Sequence, residues 1–165
     1  MKIAGAESWQ KFARSRHHPD MHDHVLSRRG AYLAINLLFL MVWGFAAGEK
    51  FVNGPPAWFH GKFGPTFLAK LPGLTATFWL LAVSELLAFA LAALALGRAE
   101  FLERRAPVVL GWMLAGSLFV FVELGFGQWL TGDYAAGAQL FTYFAGTLVA
   151  VHFVLGQAPK SSRSS

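Results

Sequence analysis

Four apolar runs, each nearly free of charge and separated by short polar stretches, dominate the chain. They cover Ala31 to Gly48 (AYLAINLLFLMVWGFAAG), Leu74 to Leu96 (LTATFWLLAVSELLAFALAALAL), Pro107 to Gly127 (PVVLGWMLAGSLFVFVELGFG) and Ala138 to Gly156 (AQLFTYFAGTLVAVHFVLG). A helix rises ~1.5 Å per residue, so about 20 such residues cross a hydrocarbon core of ~30 Å. In lipid the backbone must satisfy its own hydrogen bonds, and a helix does so within one segment. The pattern therefore predicts an all-α membrane protein, a four-transmembrane-helix bundle in up-down-up-down order. Gly44 and Gly48, four apart, give the first run a small-residue edge on which another helix of the bundle can pack closely. Pro107 fits the first turn of its helix, where the missing N–H does no harm.

The polar stretches divide the chain into an N-terminal segment (1–29), a membrane domain (30–157) and a tail (158–165). The N-terminal segment is too long and too charged for a signal-peptide n-region, so the first run is read as an uncleaved span. Within it, Ala4 to Arg14 can form a short helix with Trp9, Phe12 and Ala13 on one side, suited to anionic lipid or a partner. Between the first two spans, Pro55, Pro56, Pro65 and Pro72 rule out a continuous helix. Trp58, Phe59, Phe63 and Phe67 beside Lys62 and Lys70 predict instead a short re-entrant or surface-lying piece, either a cap on the outer mouth of the bundle or a plain anchor in the headgroup layer.

Composition reinforces this picture. Of the 165 residues 55% are hydrophobic and 14% charged, against about 25% charged in an average soluble domain. The net charge of +5 is read for topology and lipid headgroups rather than nucleic acid. Eleven of the fourteen Lys and Arg lie on the side holding residues 1–29, the Arg98–Arg105 turn and the tail, against Lys50, Lys62 and Lys70 on the other. The positive-inside rule then predicts cytoplasmic termini and a multi-pass protein of the inner (cytoplasmic) membrane. The absence of Cys excludes disulfides, thiolate nucleophiles, Fe–S ligation and c-type haem attachment. No G-x-x-x-x-G-K-[ST], G-x-G-x-x-G, G-x-S-x-G or H-E-x-x-H occurs, so nucleotide and hydrolase machinery is not visible.

Chemistry then rests on the few polar residues inside the spans. Glu85, mid-depth in the second run, is the first candidate, because a carboxyl there must face protein, water or a partner. Lys50 is its nearest cation, although the expected span ends leave the two backbones roughly 12–16 Å apart in depth. Glu123 near the outer boundary and His152 complete a candidate polar pocket, and Tyr143 joins Glu85 and His152 as a candidate cofactor contact. His152 is suited to proton relay, to a quinone carbonyl or to axial haem ligation. No second His in the spans supports haem. In the N-terminal segment His17, His18, His22 and His24 form a candidate metal cluster, without a spacing that demands one geometry.

Three stretches together resemble the DoxX-like family of small four-span membrane proteins. They are GEKF (Gly48 to Phe51), the Pro- and aromatic-rich outer loop, and SELLAFALAALALG (Ser84 to Gly97). The resemblance carries over Lys50 and Glu85, but His152-Phe-Val-Leu-Gly stands where the family often closes its last helix with a Gly-rich motif. It implies a membrane subunit beside a larger redox or electron-transfer complex, with quinone as a candidate cofactor and membrane lipid as surroundings, and it does not imply that this chain is itself a catalyst. Two other readings stand beside it. One is an accessory subunit with no chemistry that presents Trp112, Phe119, Phe121 and Trp129 to other spans; the other is a small-solute or proton transporter.

Overall fold

The computed structural model describes residues 21–102 and 107–156, with residues 21–24 as backbone only. The apolar runs become four long helices: α1 (Met21–Asn53), α3 (Leu74–Gly97), α4 (Val108–Leu130) and α5 (Tyr134–Leu155). The short α2 (Ala57–Phe63) and a 3₁₀ turn (Phe67–Ala69) lie between α1 and α3, and a second 3₁₀ turn (Glu100–Leu102) follows α3. No strand occurs among the described residues. All four long helices are long and apolar enough to span a bilayer. The chain is an integral, multi-pass membrane protein.

Helix ends fall where local chemistry places them. Among the described residues the first helix runs from Met21, ten residues before the expected span, since no proline separates Met21 from Ala31, and continues five residues past Gly48. It stops at Gly54, which takes φ +66° and donates its N–H to the Lys50 carbonyl at 2.9 Å. Likewise α5 begins four residues early because Asp133 caps it, accepting the Ala136 N–H at 3.2 Å. The last connection shrinks to three residues, Thr131 to Asp133.

Consecutive long helices run antiparallel as neighbours, α1 on α3, α3 on α4 and α4 on α5. The buried stripe of α3 is Phe78, Ala82, Glu85, Ala88, Ala92 and Ala95, at spacings of three and four. Its alanines let neighbouring backbones approach, which is how helices associate where apolar burial gives little driving force. Gly44 of α1 serves this packing, since a Cβ there would lie 3.0 Å from the Phe89 ring of α3; Gly48 faces open space. Trp43 of α1 reaches across to α4, donating its indole N–H to Ser117 Oγ at 2.8 Å and packing on Phe121 at 5.1 Å. The buried Asn36 amide, turned to pair donor with acceptor, spans Ala92 O (3.0 Å) and Leu96 N (3.1 Å) of α3. By contrast, α5 packs along α4 and meets α1 through the edge-to-face pair Tyr32–Phe153.

Glu100 is buried at the start of α4, its two oxygens taking the Val109 N–H (3.1 Å) and the Leu110 N–H (2.9 Å). A carboxylate on these otherwise unpaired donors also complements the positive end of the helix dipole. Glu100→Ala is expected to lower the unfolding free energy by about 1–2 kcal/mol, with Glu100→Gln losing less, as read by reversible denaturation in mixed micelles.

Candidate functional site

Glu85 sits on the inward stripe of α3, with 1% of its side chain exposed. Lys50 of α1 straddles its carboxylate, donating to Oε1 at 2.9 Å and lying 2.8 Å from Oε2. The contact to Oε2 is an ion contact without hydrogen-bond geometry, so that buried oxygen takes no directed donor. The pair closes despite the depth offset of the expected span ends. Phe51 and Trp79 meet ring to ring at 5.3 Å, so the last turn of α1 lies level with the second turn of α3. Helix rise then separates the Lys50 and Glu85 backbones by only about 7–8 Å in depth, which the two side chains bridge.

The rim is built by α4. Glu123 is exposed on the flank of the bundle, and its Oε1 accepts from Ser84 Oγ at 3.2 Å, the hydroxyl also lying 3.0 Å from Leu80 O. Lys50 and Glu123 both line a cavity of about 330 Å³ between α1, α3, α4 and the 54–73 segment. Glu49 and Gln128 add polar groups, while Trp58, Phe59, Phe63, Phe78 and Phe126 supply aromatic walls.

The 54–73 segment roofs this cavity, the first of the two roles its aromatic content allows. Phe59, Phe63 and Leu68 are buried against Phe78 of α3, with Phe59–Phe63 at 4.7 Å and Phe59–Phe78 at 5.3 Å. Lys62 of α2 latches the roof by donating to Gln128 Oε1 (2.6 Å) on α4 and Asp133 Oδ2 (2.9 Å) before α5. The Lys62 bond, followed by the Ala136 N–H, holds the Asp133 carboxyl below the usual carboxylate range.

Among the residues singled out from sequence, Glu85, Lys50 and Glu123 come together and two others do not. His152 lies exposed in the last turn of α5, and α5 packs on α4, so its side chain does not reach the α1–α3 interior. Tyr143 is 48% exposed outside the cavity, accepting from Gln139 Nε2 at 2.7 Å with its ring 6.1 Å from Phe121. Of the expected four-residue pocket, Lys50 and Glu123 line the cavity and Glu85 stands behind Lys50 as its ion-pair partner, while the cofactor set Glu85, His152, Tyr143 is dispersed. Phe121 is also not an outward aromatic: it is 8% exposed beneath Trp43, whereas Trp112, Phe119 and Trp129 are exposed. Of the metal cluster, His17 and His18 lie outside the described residues, as does the Ala4–Arg14 helix, and the His22 and His24 side chains are not described. Among the described residues no three His, Asp or Glu converge as metal ligands.

Sequence reading missed Ser84 as a partner of Glu123, and the Lys62–Gln128–Asp133 latch. Asp133 before an apolar run is a legible cap, but no spacing rule links it to a lysine 71 positions away.

Removing one partner of the buried pair strands the other charge, so Lys50→Met or Glu85→Leu alone is expected to cost about 3–5 kcal/mol. The double variant recovers much of this, which a double-mutant cycle on unfolding free energy measures. The latch carries a pH dependence. Because the folded-state carboxyl of Asp133 is depressed, its stabilisation is present above the ordinary value of 3.8 and is lost as pH falls through the lower folded value. Hydrogen-exchange protection of residues 57–71, corrected for intrinsic rates, is expected to drop below that pH, and Asp133→Asn should remove the dependence.

No family model, curated protein or solved structure matches this chain.

Proposed function

We propose that the protein is a DoxX-like membrane subunit of a quinone-linked electron-transfer system, with both termini on the cytoplasmic side of the inner membrane. The observation that carries the reading is the roofed cavity, a volume within the ~300–1,000 Å³ of small-molecule sites, with aromatic walls and a few convergent polar groups. Aromatic faces suit a planar ring. The Lys50 ammonium offers an N–H to a ring oxygen, and the unpaired oxygen of Glu123 accepts from a ring hydroxyl. Glu85 holds the Lys50 side chain in place. On this reading electrons come from a partner protein, and this chain's share is binding and proton handling. The excess of Lys and Arg on the 98–107 side supports the orientation.

A second reading, an accessory subunit without chemistry, draws on one feature. The span-forming window of α5 is only 11% buried, which leaves a long apolar flank for another membrane protein.

Thermal unfolding in mild detergent with added ubiquinone or menaquinone separates the two. Quinone binding is expected to raise the midpoint with concentration, by ~2.7 kcal/mol of apparent stability at 100 Kd. Glu123→Gln, at an exposed position, should weaken binding without lowering the unliganded midpoint. No shift with either quinone, and no quinone in organic extracts of the purified protein, sinks the reading and leaves the accessory role.

A further inference from the structure

A second void lies on the other side of α4. It is a groove of about 270 Å³ between α4 and α5, walled by Val122, Gly125 and Trp129 on one helix and Leu140, Phe141 and Phe144 on the other. No charged side chain lines it, and the Trp129 indole is its one polar group. Phe126 belongs to the walls of both voids. On α4, Glu123 and Phe126 border the roofed cavity, while Val122, Gly125 and Trp129 turn toward α5. Exposed Leu80, Glu123 and Phe126 mark the cavity's open side, on the flank where α4 meets lipid.

We infer that the two voids form one site for a head-and-tail amphiphile: the ring lies in the roofed cavity and a long prenyl-type tail crosses α4 at Phe126 into the α4–α5 groove. The inference rests on the head-site reading proposed above and adds the tail and its path. Charge is sorted as such a molecule requires, with Lys50, Glu49 and Glu123 on the head side and none on the groove side. The exposed Phe126, a wall of both voids, sets them side by side across α4, and that adjacency selects the occupant. Neither a separate lipid acyl chain nor a packed partner helix would need a polar cavity beside it. From Phe126 the groove continues to Phe121 and Phe144, nearer the middle of both helices, so the tail runs toward the bilayer centre. In lipid, apolar burial itself adds little, so the groove acts through dispersion contacts with its walls.

Gly125 provides the test, because it lines the groove and a Cβ added there meets open space. Affinities of a short-chain and a long-chain ubiquinone are measured in the same detergent for the full chain, Gly125→Leu and Phe141→Ala. Taking the long-to-short ratio in each protein cancels partition into micelles. Gly125→Leu is expected to lower that ratio about tenfold while leaving short-chain affinity unchanged, and Phe141→Ala should lower it by removing a wall. An unchanged ratio in both variants overturns the inference, as does equal weakening of the two ligands; the groove then holds lipid. Binding of neither quinone to the wild-type chain fails the head-site reading itself, a different outcome from short-chain binding without a tail effect.

Discussion

A carboxylate and an ammonium closed on each other inside an apolar bundle set the terms for the rest of this molecule. Either charge alone at the Glu85 position is expensive to keep out of water, and their attraction repays that cost only with close geometry. The 2.8–2.9 Å approach of Lys50 to both oxygens supplies it. It also requires α1 to remain helical past Gly48 and to lie beside the small-residue stripe of α3. The pair therefore fixes the register of the first two long helices, much as Asn36 and the Trp43–Ser117 bond do further along the bundle. Polar contacts take on this role in lipid because apolar surface does not discriminate one helix register from another.

That register has a consequence at the end bearing the 54–73 segment. Because α1 ends level with the second turn of α3, the top of α3 is left without a helical neighbour on that side. Phe59, Phe63 and Leu68 fill the gap by packing on Phe78, and the space beneath them remains open as the cavity. The roof is tied to the far helices by the polar Lys62 latch, through Gln128 and Asp133, and by apolar contacts of Phe67 with Phe126 and of the roof cluster with Leu130. A structural ion pair, a cavity and its cover thus arise from one offset between two helices. The α5 flank follows different physics. It packs mainly on α4, so its outward aromatics face away from the bundle, and its groove with α4 carries no charged side chain.

Much of the architecture is written in local pattern. Run length and the confinement of charge to the connections specify four helices, and the cost of a carboxyl at mid-depth in an otherwise apolar run turns Glu85 inward. The prolines break the outer loop, and its aromatics mark it as a cover or an anchor. Each of these depends on residues within a turn or two of one another, or on the cost of exposing charge or backbone to lipid. The sequence could also nominate Lys50 for Glu85, as the nearest cation to the one deep carboxyl. It could not say that they touch, since the depth of each helix end depends on how the helices slide past one another.

What only the tertiary arrangement decided is which polar groups share a space. His152 and Glu123 look equally eligible along the chain, yet α5 packs on α4 away from the pair while Glu123 reaches Ser84 at the cavity rim. Phe121 reads like Phe119, but one lies under Trp43 and the other faces outward, because a helix turns neighbours two apart to opposite sides. Glu100 looks like one charge in a basic turn until the fold brings the amides of α4 onto it. Local sequence sets the depth and type of each element, through burial cost and backbone hydrogen bonding. Rotation and slide of one helix on another are set by contacts between residues dozens of positions apart, and that is where the site was made.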